Sequence, residues 1–255
     1  MKTRLTRLAA CLLAVMTTAD ADLLRIEAGG GLWMQSSDGT VTYDDGAGST
    51  GEYRSDKKNT DQAYLWLFIK HPVPILPNLR LEYTAVSDKG TAKGSFNDFT
   101  TPSGPAKIDI VQYDIVPYYN LLDNTFWLTL DLGLDIKVLR SDLSVDNVRI
   151  DGTGPLTRYT DSRTLALPML YARVRAQVPA TGFGFEADGK YVTYDGSTLY
   201  DFRIKADYTF DVSPVVQPGV EVGYRLQKFD LSADDGDTET DLDFTGFYAG
   251  VMLRF

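Results

Sequence analysis

Cysteine is almost missing from the 255-residue chain: Cys11 is the one thiol, and a single thiol cannot pair within the chain. Histidine is as scarce, with His71 alone. Long apolar runs are missing too, since the longest, Leu8 to Met16, falls short of the roughly 20 residues that a membrane helix needs. A basic excess is also lacking. With 25 Lys and Arg against 35 Asp and Glu, the formal charge is −10 and the pI near 4.6, which argues against a phosphate backbone as partner. The mean hydropathy of −0.17 excludes a bundle of membrane helices, and 44% apolar residues exclude wholesale disorder. What remains is a folded chain rich in tyrosine, with 15 Tyr beside 12 Phe and 3 Trp. That bias suits an interface where one end of a ring is dry and the other wet.

The first residues read as a leader. Lys2, Arg4 and Arg7 precede the apolar run, and Ala19-Asp20-Ala21 follows it, which is the order of a secretory signal peptide cut after Ala21. Leu8-Ala9-Ala10-Cys11 is similar to a lipobox, but Leu12 to Met16 continue the apolar run beyond it. With residues 1–21 removed, the rest (22–255) reads as one domain without a thiol, so cysteine chemistry is excluded. The net charge becomes −12.

Along that domain apolar and polar residues alternate over stretches far longer than an ordinary strand of five or six residues. From Tyr200 to Phe210 the even positions are apolar, while Asp201, Arg203, Lys205, Asp207 and Thr209 occupy the odd ones. Phe126 to Val138 repeats the pattern, with Asp131, Asp135 and Lys137 on its polar side. So does Val220 to Gln227. A soluble sheet with one wet face is the bland reading. Strand length and leader favour a closed antiparallel transmembrane β-barrel, because hydrocarbon tolerates no open sheet edge.

Ten strands are predicted: 22–35, 61–71, 78–86, 107–119, 125–139, 164–178, 182–194, 199–211, 216–229 and 241–255. Alternation is weakest at 61–71 and 78–86, and the count falls to eight if those two form a hairpin outside the wall. Short turns at 72–78, 121–124, 179–181 and 212–215 belong in the periplasm. The polar connections 36–60, 87–106, 140–163, 195–198 and 230–240 belong outside the cell.

Phe247, Ala249, Val251, Leu253 and Phe255 form an alternating apolar face that ends on the terminal residue. It resembles the carboxy-terminal assembly signal of bacterial outer-membrane barrels, which implies outer-membrane localisation and biogenesis by the barrel-assembly machinery. Gly29-Gly30-Gly31, with the chain length, is similar to a small proteobacterial outer-membrane family named for a glycine pair. Glycines in a strand also mark bulges or tight curvature.

Sending the apolar parity to lipid turns a defined charge set inward. Arg25, Arg80, Lys137, Arg173, Arg175, Lys190, Arg203, Lys205, Arg225 and Arg254 are its cations; Glu27, Glu82, Asp114, Asp131, Asp135, Glu186, Asp188, Asp201, Asp207 and Glu221 are its anions. Ten face ten, and the interior is neutral. Two readings follow: ion pairs that plug the lumen, or a narrow water path helped by the small inward residues Gly29, Gly31, Gly133, Gly184 and Gly223. The acidic excess then sits in the loops, at Asp38, Asp44, Asp45, Glu52 and Asp56 and again at Asp234, Asp235, Asp237, Glu239 and Asp241. Asp234, Asp235 and Asp237 offer oxygen ligands to a divalent cation, without the full spacing of a calcium loop. A solvated acidic loop is the simpler reading.

No catalytic set or cofactor site emerges. Barrel proteases and lipid-modifying enzymes commonly use a histidine, and His71 precedes Pro72 at a periplasmic turn, the wrong end for either. The expected role is structural or a narrow passive pore, carried by a monomer whose partners are lipid and lipopolysaccharide. A surface hydrolase and an adhesin or receptor acting through the loops are the alternatives. For the last, Tyr43, Tyr53, Phe96, Phe99 and Tyr159 could be contacts or could pack the loops onto the rim.

Overall fold

Every described element is a strand, and the order in which they pair closes a ring. The structure, a computed structural model, describes residues 24–73, 75–150, 152–213, 215–232 and 237–255. The leader at 1–21 and the loop residues Asp234 and Asp235 lie outside the described residues.

Eleven strands run β1 (Arg25–Asp44), β2 (Thr50–Ser55), β3 (Asn59–Lys70), β4 (Asn78–Ser95), β5 (Phe99–Thr125), β6 (Leu128–Ile150), β7 (Thr157–Gln177), β8 (Phe183–Tyr194), β9 (Ser197–Thr209), β10 (Gln217–Ser232) and β11 (Thr238–Arg254). From β4 onward each pairs antiparallel with the next, and β11 pairs with β1 from Glu27↔Arg254 to Tyr43↔Thr238. No edge strand is left at the seam. Closure of this kind is what lets a sheet sit in hydrocarbon without unsatisfied backbone groups.

Eleven strands make ten staves. β2 pairs with β1 at Thr40–Asp44 and β3 pairs with β1 at Arg25–Ser36, so the two are one descending stave interrupted at 56–58. Lys57 sits there with φ of 58°, and the buried carboxylate of Asp88 accepts from Ser37 Oγ (2.6 Å), Ser55 Oγ (2.8 Å) and the Tyr53 hydroxyl (2.7 Å) across the break. The segments 61–71 and 78–86 belong to the wall, so the eight-strand alternative is excluded.

Their weak alternation has a physical cause. On β3 the outward Leu65 is exposed, yet inward Tyr64, Trp66 and Phe68 are buried, so both faces of this stave are apolar. Elsewhere the outward face is the oily one: Leu134, Leu170, Ile204 and Val251 are 55–66% exposed, the reverse of a soluble core.

The connections predicted as loops are largely strand. Residues 87–95, 99–106 and 140–150 extend β4, β5 and β6 well beyond the oily band, as does 36–44 in β1. Polar side chains mark a segment as outside the membrane, not as irregular. The connection at 195–198 is a tight hairpin through Asp195 (φ 46°) and Gly196 (φ 78°), with Tyr194 opposite Ser197.

Candidate functional site

Among the described residues, the chemistry-bearing side chains converge in the lumen. Of the twenty charges assigned inward, eighteen are buried. Lys205 is half-buried, with its Nζ 3.3 Å from Glu186 and 3.2 Å from Glu221. Arg25 departs from the inward assignment: its side chain is 45% exposed at the end of β1, because the strand starts there and the ring has no further layer to cover it. Its guanidinium still pairs with Glu27.

The buried charges form one connected lattice. Near the proline-turn end, Arg254 contacts Glu27 (3.2 Å) and Asp207 (2.9 Å), and Asp207 is held bidentately by Arg175 at 2.5 and 2.9 Å. Arg173 then joins Asp131 (2.5 Å) to Glu186 (2.8 Å). One layer on, Arg80 pairs with Glu82, and Arg203 bridges Glu82 (2.7 Å) and Asp188 (2.5 Å). Lys190 gathers Glu82 (2.6 Å), Asp114 (3.0 Å) and Asp135 (3.9 Å), while Lys137 takes Asp114 (2.5 Å) and Asp201 (3.6 Å). Arg225 grips Asp201 at 2.8 and 2.5 Å. Cross-strand register makes this possible: Asp131↔Arg173, Arg173↔Asp188, Arg175↔Glu186 and Lys190↔Asp201 are direct neighbours on the inner face.

Aromatic rings fill the opposite flank. The Tyr64 hydroxyl (2.7 Å) and Trp66 Nε1 (2.9 Å) both donate to Glu221. Arg80 and Arg173 lie over the Phe68 ring at 4.4 and 4.6 Å, and Arg225 lies over Trp33 at 4.8 Å. Cation–π contact of this sort is strongest when desolvated. Three of the glycines that suggested a water path supply room for these side chains instead, while Gly31 and Gly133 lie against the backbone of the neighbouring strand. A Cβ on Gly29 would meet the Trp66 ring at 2.6 Å, one on Gly184 would meet Arg175 at 2.2 Å, and one on Gly223 would meet Tyr248 at 2.5 Å. The void bordered by Trp33, Tyr64, Trp66, Arg203 and Glu221 is about 10 Å³, space for about one water.

Above the charged layers lies a second plug that charge parity alone does not reveal. Gln112 and Gln227 hydrogen-bond across the barrel (2.9 Å), and beyond them Val86, Ile108, Ile110, Leu139, Leu199, Phe229, Leu242 and Phe244 are buried inside the ring. These residues lie on inward positions of staves that have risen past the oily band. A rule that sends apolar residues to lipid misassigns them, and the signal that finds them is continuation of the inner parity from Gln112 through Ile110 to Ile108.

The remaining candidates are placed apart from the lumen. Phe247, Ala249, Val251 and Leu253 point outward on β11, next to the seam, and Phe255, just past its end, is exposed as well. His71 is held in its turn: Nδ1 accepts from the Val73 amide (3.2 Å), and Nε2 lies 3.0 Å from the Pro77 carbonyl. Asp237 lies beside the undescribed residues of the acidic loop, and among the described residues no group of three metal-ligating side chains converges. Of the loop aromatics, Phe96, Phe99 and Tyr159 stack in series at 4.7 Å, and Tyr43 adjoins Phe96 at 6.2 Å. The Tyr159 hydroxyl donates to Asp98 (2.9 Å), and burial together with that carboxylate pushes its pKa up to about 12. Tyr53 is buried and serves Asp88. Outside the oily band, Asp146 is held below the usual carboxylate range by its hydrogen bond from Arg158, and Asp45 by the backbone amide of Ser49.

No family model matches the chain, and no curated protein matches it by sequence. Among solved structures, the outer membrane protease OmpT from Escherichia coli superposes with a TM-score of 0.53 at 12% identity, over 94% of this chain and 99% of that one. The translocator domain of the autotransporter NalP from Neisseria meningitidis gives 0.40 at 14% identity, over 100% and 95%. Neisserial surface protein A gives 0.30 at 13%, over 91% and 97%. The likeness to OmpT is one of fold. The chain is an all-β, closed antiparallel barrel of the outer-membrane type.

Proposed function

We propose that this protein is an integral outer-membrane barrel whose lumen is a structural plug and not a passage, leaving the sheet beyond the membrane as its working surface. The observation that carries the reading is the double closure of the interior: a neutral lattice of ion pairs and rings, topped by an apolar layer around Phe229 and Phe244. A passive pore would need a continuous wet gap, and the void where the rings meet the charges has room for about one water. The oily belt led by Leu134, Leu170 and Val251 supports membrane insertion, with the leader at 1–21 supplying export and the outward face of β11 supplying the assembly signal. Lipid and lipopolysaccharide are the partners that this belt and its acidic rim would meet.

A hydrolase reading gains nothing from the geometry. Both His71 ring nitrogens are engaged in a turn at the end opposite the tall strands. Swelling of liposomes carrying the refolded chain tests the proposal: in isotonic arabinose they should swell no faster than empty liposomes, and swelling at a porin-like rate would overturn it.

A further inference from the structure

The wall is uneven at its outer end. β7 runs from Thr157 to Gln177, yet β8 pairs with it only from Leu170↔Tyr191 to Gln177↔Gly184, and the β8–β9 hairpin turns back at Asp195–Gly196. β7 above Leu170 is therefore paired with β6 on one side and, among the described residues, with no strand on the other. Ser162 to Ala166 are exposed at consecutive positions, so nothing covers either face there. The side that points into the gap follows from strand parity. At the far end of β7 the Gln177 amide donates to the Trp127 carbonyl beside β6, while the Val178 amide donates to the Phe183 carbonyl of β8, so the even residues Arg158, Thr160, Ser162, Thr164 and Ala166 turn their backbone groups to the open edge; there the Ser162 amide donates to its neighbour Asp161 Oδ1 at 2.9 Å. Pro168 shares that parity, and with no N–H it ends the edge where β8 begins.

This edge is complementary to itself. Folded antiparallel about Ser162, it sets Ser162 against Ser162 of a second copy, Thr160 against Thr164, and Asp161 against Arg163 twice over. The pairs of edge-facing residues, 158/166, 160/164 and 162/162, all fall in the hydrogen-bonded class, which is what antiparallel pairing requires. Threonine pairs and opposite charges directly across are the favourable cross-strand combinations. We propose that the β7 edge is a homotypic docking strand, whose partner is a second copy of this chain.

The orientation of that partner follows from geometry. The two-fold axis of an antiparallel pair is perpendicular to the sheet, and a barrel wall faces sideways in the membrane plane. Rotation about such an axis inverts the membrane normal, so the two copies sit in opposed membranes. In the single chain Asp161 is occupied by the Ser162 amide and by Arg163 Nε (2.9 Å), a self-cap that keeps the edge from pairing at random. Docking exchanges the Asp161–Arg163 pair for the same pair between copies and moves the Ser162 amide from the Asp161 carboxylate to the Ser162 carbonyl of the second copy. Contact is then governed by how many copies face one another. This inference rests on the proposed membrane placement but not on a closed lumen.

Two populations of phosphatidylcholine vesicles, labelled in different colours and each carrying the refolded full chain, test it by their rate of co-clustering. Wild-type vesicles should cluster, and D161R or R163D alone should slow clustering about tenfold by putting like charges opposite each other twice. The double swap D161R/R163D should restore it. Thr160→Pro, which removes an edge amide that β6 does not use, should also abolish clustering. Ser162→Cys should link copies across vesicles, because a hydrogen-bonded antiparallel pair sits at about 5.5 Å, within disulfide reach. The proposal is overturned if wild-type vesicles stay apart, if the double swap behaves like the single ones, or if the cysteine variant links only within one vesicle. Arabinose swelling of the same vesicles reports separately on the lumen.

Discussion

Lys190 is the best single place to test whether the lumen lattice holds the barrel together. Its ammonium is 1% exposed and is shared by Glu82, Asp114 and Asp135 at 2.6, 3.0 and 3.9 Å. In Lys190→Met the volume is nearly kept and the charge is lost. Glu82 retains Arg80 and Arg203, and Asp114 retains Lys137, but Asp135 loses its one cation within 4 Å among the described residues. Breaking a buried pair by removing one partner costs about 3–5 kcal/mol, against about 0–1 kcal/mol for an exposed pair. Arg158→Ala, whose partner Asp146 is 2.5 Å away but whose side chain is 64% exposed, is the matched control. The second half of the prediction is coupling. Asp135→Asn replaces the orphaned acid with a neutral amide of the same shape, so K190M/D135N should recover at least about 1 kcal/mol of the loss, within the usual range of coupling between contacting residues. Urea titration of vesicle-folded protein, read through Trp33 and Trp66 in the lumen wall, gives the four free energies. A cost below about 1 kcal/mol for K190M, or strict additivity with D135N, refutes the lattice as a source of stability.

Gly31→Ala should impair seam closure, because a Cβ there would come within 2.0 Å of the Ala249 carbonyl oxygen on β11 and only backbone movement relieves it. Lower yield of the heat-modifiable folded band on electrophoresis checks this, and full folding contradicts it. Gly29→Ala meets the Trp66 ring at 2.6 Å and should cost about 1–3 kcal/mol by overpacking, measured in the same urea titration. Asp45 should titrate below the ordinary aspartate value because amides of Ser49 and Ala47 stabilise its charged form. Its folded pKa is lowered, so the order it gives the 45–49 turn is complete above the ordinary value and is lost as pH falls through the folded one; a carbon-13 NMR midpoint at or above 3.8 contradicts this.

Alternation makes most of the wall legible in the amino-acid sequence, because a strand in a membrane must show lipid on one side and protein on the other. Leu128 to Val138 and Tyr200 to Thr209 need nothing else, but the alternation runs on through a turn at Phe126 and Trp127 (φ 52° and 69°), so the turn expected at 121–124 lies instead at 126–127, with 121–125 still in β5. The signal fails where that contrast disappears. β3 has Tyr64, Trp66 and Phe68 inside and Leu65 and Leu67 outside, so its period of two is faint although it is a full stave. Beyond the membrane the outer face becomes polar and the inner one apolar, which hides the plug at Ile108, Ile110 and Phe244 and makes long strands look like loops. Charge identity points to the lumen set, but not to the glycines' part in it. Which side chain occupies the space beside Gly29 or Gly223 depends on Trp66 and Tyr248 from neighbouring staves, and no local pattern encodes that. The interruption at 56–58 likewise depends on Asp88, far along the chain.

A shut lumen is tested most directly by single-channel recording from the refolded chain in a planar bilayer, with insertion verified independently by protection of the strands from protease. A silent membrane across the full voltage range is the predicted result, and stable, stepwise ionic currents from the wild-type chain would contradict the account.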